Sequence, residues 1–221
     1  MTDSLTLVQK QRAHLQDAVD GLGRLALTAL RHSVDCLEQH DPARAAQIIA
    51  DDAEINQQRR LLEQECLVTL AAYKPAGVDL RAVGACMELA GELERIGDYA
   101  ADVARLLVKR GATPFPAEPV AAIGELAGTA IAMLEATLEV FAANGDEARA
   151  RASVAAEEQV DRDEHAFIEQ VLERMREDPE FAVTGTQLLW IAHNYERVAD
   201  RATNVAERAI YVASGKTPDL D

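Results

Sequence analysis

Aromatic residues make up only 4% of this 221-residue chain, there is a single tryptophan, and glycine (12) and proline (7) are sparse. A chain so poor in turn residues and aromatics, and rich in alanine, leucine, glutamate, arginine and glutamine, excludes a many-stranded fold and has the composition of an all-helical protein. Basic charge is also short: 22 Lys and Arg stand against 38 Asp and Glu, a net charge of −16. Phosphate neutralisation needs basic stripes and none is present, so no nucleic acid partner is expected. No apolar run approaches the roughly 18–20 residues of a membrane-spanning helix. Met1-Thr2-Asp3-Ser4-Leu5 lacks the charged-then-apolar design of a secretory signal, and a cytoplasmic protein is expected. The three cysteines, Cys36, Cys66 and Cys86, are odd in number and widely spaced, and read as reduced thiols set in helical patterns.

What is present is helical periodicity almost throughout. Leu15, Val19, Leu22, Ala26, Leu30, Val34 and Leu37 form the first apolar stripe. Breaks fall at His40-Asp41-Pro42, Lys74-Pro75-Ala76-Gly77, Gly111 through Pro116, Asn144-Gly145-Asp146 and Asp178-Pro179. They predict six helices, at about 5–39, 42–73, 78–110, 119–143, 146–177 and 181–214.

The two halves of this pattern match. Leu22, Leu30, Val34 and Leu37 correspond to Leu126, Leu134, Leu138 and Phe141 at an offset of 104, and Asp52-x-x-Ile55-Asn56 to Glu157-x-x-Val160-Asp161 at 105. Glu94-Arg95-Ile96-Gly97-Asp98 corresponds to Glu196-Arg197-Val198-Ala199-Asp200 at 102. The drifts fall at predicted loops, where insertions are tolerated. The expected architecture is all-α: six antiparallel helices in two tandem, pseudo-symmetric three-helix bundles. The first spans 1–111 and the second 119–215, with a proline-rich linker at 112–118 and a tail at 216–221.

The duplicated segment carries the chemistry. Glu94, Asp98 and Asp102, and again Glu196, Asp200 and Asn204, lie at i, i+4 and i+8, so each trio forms a column on one helix face. One acidic pair at this spacing means nothing, because 38 acidic residues in 221 produce about six by chance. The repetition at equivalent places is what counts. Like charges four apart cost a helix about 0.2–0.5 kcal/mol per pair, and a cation would remove that cost. Asp52 adds to the case, since it interrupts the apolar stripe Ile48, Ile55, Leu62, where an unpaired carboxylate is costly. Asp161 lies in the matching segment of the second half. The rival reading leaves the columns on solvated faces, paired with Arg95, Arg105, Arg197, Arg201 or Arg208. Gly97 and Ala199, just before each Asp, either admit a neighbouring helix or are ordinary small-residue packing.

An all-oxygen donor set of this kind suits magnesium, calcium, manganese or iron better than a structural zinc site. Glu-x-x-His, the signature of carboxylate-bridged di-iron bundles, is absent, as are a phosphate-cradling glycine loop and a nucleophile elbow. His193 and Trp190 read as packing or rim residues.

The acidic segments themselves look familiar. Glu94-Arg95-Ile96-Gly97-Asp98, the run Tyr195 through Glu207, Pro75-Ala76-Gly77-Val78-Asp79-Leu80-Arg81-Ala82-Val83 and the closing Ala209 through Lys216 together resemble the signatures of the PhoU family of bacterial phosphate-transport accessory proteins. The resemblance implies two three-helix bundles in a cytoplasmic, commonly homodimeric protein that is not an enzyme. It implies repression of the phosphate regulon by linking the phosphate ABC transporter ATPase to a sensor histidine kinase, with membrane contact only through those partners. It also implies metal binding by Glu/Asp-x-x-x-Asp motifs, which fall here on Glu94 with Asp98 and Glu196 with Asp200. Ala199 replaces the usual glycine, Arg201 replaces a frequent histidine, and Phe181-Ala182-Val183 stands where the first half has Asp79-Leu80-Arg81. These departures favour the first metal site over the second. Other readings left open by the residues are an accessory of a low-affinity phosphate permease, a carboxylate-metal enzyme and a purely structural bundle.

Overall fold

The computed structural model describes residues 2–143 and 146–220, with side chains from Leu7 onward, so the Asn144-Gly145 break falls outside it. The first bundle is α1 (Thr2–Gln39), α2 (Pro42–Tyr73) and α3 (Val78–Arg110). The second is α4 (Ala117–Ala142), α5 (Glu147–Ser153), α6 (Glu157–Glu177) and α7 (Ala182–Ser214), with one 3-10 turn at Pro179–Phe181 before α7. No strand occurs among the described residues. The starts have local causes. Asp41 accepts the amides of Ala43 and Arg44 ahead of Pro42, and Asp146 accepts that of Arg149. Gly111 closes α3 at φ +70°, a backbone conformation that glycine adopts without a Cβ penalty.

One expected helix is broken. The segment 146–177 divides at Val154–Ala156, where Glu157 N bonds to Val154 O in a tight turn and Ser153 bonds back to Ala150 O. Neither glycine nor proline marks the place. A second correction concerns α4: at a mean hydropathy of 1.4 over 18 residues it is apolar and long enough to cross a membrane. Here Ile123, Leu126, Leu134, Leu138 and Phe141 are buried in the core, and α4 packs on α7 and α1.

The bundles join along an antiparallel α3–α7 seam. Arg81 at the start of α3 donates from Nε and Nη2 to Val212 O at the end of α7, at 3.2 and 3.1 Å. Arg110 at the end of α3 donates to Gln187 Oε1 at 2.8 Å near the start of α7. Arg12 pairs with Asp79 at 2.8 Å, so the Asp79-Leu80-Arg81 segment ties α1, α3 and α7 together. The duplication extends to hydrogen bonds. Ser33 donates to Leu30 O, and Thr137, at the equivalent position, donates to Leu134 O. Ser33 also bonds to the fully buried Tyr195 hydroxyl at 2.8 Å, linking the halves.

Candidate metal centre

At 3.6 residues per turn, a four-residue step advances about 40° round the helix, so neither acidic column is straight. Side-chain exposure rises along the first from Glu94 (17%) through Asp98 (31%) to Asp102 (52%). The second begins alike, with Glu196 at 15% and Asp200 at 34%. The head of the second column, Glu196, faces Glu164 of α6, whereas the foot of the first, Asp102, is its most exposed member.

In the second half this brings α6 and α7 together around a dense donor group. Glu157, Asp161 and Asp200 place carboxylate oxygens within 4.8 Å of one another, and one turn away a ring nitrogen of His193 and carboxylate oxygens of Glu164 and Glu196 lie equally close. His193 Nδ1 lies 3.2 Å from both Glu164 Oε1 and Glu196 Oε2. One ring N–H cannot serve both, and Glu196 Oε2 is left buried without a hydrogen bond. Burial, with Asp200, Glu164 and Asp161 close by, pushes the Glu196 carboxyl up to about 8. Asn204 takes no part: its amide donates to Glu92 Oε2 at 3.1 Å across the seam.

The first half is sparser. Asp52 accepts from Asn56 Nδ2 at 2.9 Å, and its second oxygen, Oδ1, is buried without a partner. Burial first, then the nearby Asp98 and Asp102, raise its carboxyl above the ordinary value. Asp98 lies 3.7 Å from Arg95, and Asp102 pairs with Arg105. The duplication explains the difference between the halves. At the offsets of 105 and 102, Glu164 corresponds to Arg59 and His193 to Gly91, so the first half lacks two donors that the second has.

Three members of the denser group, Glu157, Glu164 and His193, are not candidates from the sequence alone. Their signal was present: Glu157, Asp161 and Glu164 follow at i, i+4 and i+7 on α6, and His193-x-x-Glu196 is the reverse of the di-iron order. Gly97 has its cause in the structure. A Cβ there would lie 2.8 Å from Ile55 Cδ1 and 3.1 Å from Cγ2, so α2 of the same bundle occupies the space.

Two matches to the PhoU domain cover residues 19–107 and 123–209, one in each bundle. The chain belongs to the PhoU family. It is 32% identical to a phosphate-specific transport system accessory protein PhoU homolog of Pseudomonas aeruginosa, over 96% of this chain and 90% of that one. The homolog of Rhizobium meliloti is 29% identical, over 97% and 90%. Among solved structures, the phosphate transport system regulatory protein PhoU of Streptococcus pneumoniae superposes with a TM-score of 0.87 at 29% identity, covering 96% of this chain and all of that one. PhoU of P. aeruginosa gives 0.86 at 28%.

Proposed function

We propose that this PhoU protein is a regulatory adaptor of phosphate uptake, linking the phosphate ABC transporter ATPase to a sensor histidine kinase and repressing phosphate-starvation genes when phosphate is plentiful. The match over both bundles and nearly the whole chain carries this reading. A strain lacking the protein is expected to express those genes at high phosphate. Normal repression would refute the adaptor.

The metal reading rests on a different observation, the two carboxylate oxygens, Asp52 Oδ1 and Glu196 Oε2, that are buried without donors. A buried acceptor of this kind is costly unless a cation or proton serves it. Glu157, Asp161 and Asp200 form one three-donor group fit for a divalent ion and Glu164, His193 and Glu196 another, and in the second the imidazole shifts preference from magnesium or calcium towards manganese or iron. Such an ion would offset the charge of the two or three carboxylates that hold it and clamp α6 to α7. Asp52 and Asp98, with Glu94 one turn before Asp98, would be the weaker first-half counterpart, with Asp102 held by Arg105. Glu196→Gln with His193→Ala is expected to remove most of the metal found by mass spectrometry in protein purified without chelator. Glu94→Ala with Asp98→Ala is expected to remove less. Unchanged content in the first double variant would return these carboxylates to the status of surface charge.

A further inference from the structure

The α3–α7 seam has two flanks related by the 102-residue offset, and they are closed very differently. On one flank Arg208 pairs with Glu88 at 2.9 Å, Arg201 and Asn204 both reach Glu92, and Arg81 holds Val212 O. The chain's own tail covers the same flank: Leu220 N donates to Glu207 Oε1 at 3.0 Å, and the Leu220 side chain packs on the core. On the other flank the equivalents of Arg81, Glu88 and Glu92 are Val183, Trp190 and Asn194, and that of Arg208 is Leu106. Every ion pair that closes the first flank is lost there.

What remains is an open cleft of about 280 Å³, lined by Asp102, Arg105, Leu106 and Lys109 of α3 and by Trp190 and Asn194 of α7. Trp190 is 60% exposed and Val183, two turns before it, 72%. Lys109 pairs with no carboxylate among the described residues. Among the described residues no segment covers this flank as the tail covers its twin, and Arg110 draws the linker away: its guanidinium holds the carbonyls of Thr113 and Pro114 and stacks 4.0 Å over Phe115. An exposed tryptophan with cations at the rim has the make-up of an interface hot spot.

We infer that the Trp190 cleft is a docking surface for an acidic segment of a partner protein that inserts a leucine-like side chain against Trp190 and Leu106 and sets a carboxylate against Lys109. The twin flank supplies the template for the leucine, since the segment seated there packs the Leu220 side chain on the core. Charge complementarity favours an acidic occupant, because Arg105 is already paired with Asp102 while Lys109, on a chain of net charge −16, is left for a partner's carboxylate. The inference rests on the adaptor reading for the existence of a partner, and on the seam alone for its place.

Trp190 is the only tryptophan, so its fluorescence reports on the cleft directly. The probe is a short synthetic peptide of aspartate and glutamate with leucine at every fourth position, beside a version with lysine for each acid. The acidic peptide is expected to shift Trp190 emission to the blue, to bind more weakly as salt rises, and to lose about tenfold in affinity with Lys109→Glu. Equal binding of both peptides, or binding of neither, overturns the proposal. So does equivalent binding of ATP, which would make the cleft a nucleotide site. A dimer in sedimentation that Trp190→Glu dissolves overturns it too, by making the occupant a second copy. In cells, Trp190→Glu with Lys109→Glu, folded by circular dichroism, is expected to lose repression. Full repression by that variant, in a background where deletion abolishes it, sinks the docking surface and leaves the adaptor standing.

Discussion

Gly97→Ala puts a methyl group against Ile55, at 2.8 Å from Cδ1 and 3.1 Å from Cγ2, both closer than the ~3.5–4.0 Å optimum for carbon atoms. Two effects oppose each other. Alanine improves a helix interior by about 0.8–1 kcal/mol over glycine, whereas overpacking a filled core costs about 1–3 kcal/mol. Gly97→Ala should therefore destabilise by up to about 2 kcal/mol. Ile55→Val deletes the atom at 2.8 Å and alone costs about 0.5–1.5 kcal/mol. Together the two should nearly cancel, a coupling of about 1–2 kcal/mol that a double-mutant cycle isolates. The second half has tried the experiment already, since Val160 and Ala199 occupy the equivalent positions, both buried. Denaturant unfolding of the three variants, compared by midpoint at constant slope, is the assay. If the effects add to within about 0.5 kcal/mol, Ile55 is not the reason for glycine at 97.

The raised Glu196 carboxyl makes a pH prediction: the folded chain holds this proton up to about 8, and the unfolded chain releases it near 4.5. Metal-free stability should thus fall as pH rises through that window, and Glu196→Gln should flatten the profile; a flat wild-type profile refutes the assignment. Burial pushes the Cys66 and Cys86 thiols up to about 12, so both should resist thiol reagents until the chain unfolds, and fast labelling at neutral pH would contradict their placement. Tyr195→Phe removes the buried bond to Ser33 but leaves Ser33 its Leu30 carbonyl, so the loss in unfolding free energy should be about 0.5–1.5 kcal/mol. A loss several times larger would mean that this bond holds the two halves together.

Helix positions and the duplication were legible in the chain because both are local properties: period, caps and repeated spacing need no knowledge of what packs on what. The acidic columns were legible for the same reason. Their partners were not. Spacing along α7 cannot say that Glu164 of α6 meets His193, or that Asn204 turns to Glu92, since each depends on which helix lies opposite and at what rotation. The break at Val154–Ala156 left no glycine or proline, and the bareness of Trp190 is visible only beside the ion pairs that close its twin flank. Sequence determined which faces each helix owns. Only the packing of α3 on α7, and of α6 on α7, decided which carboxylates share a site, because charge and burial act across space and not along the chain.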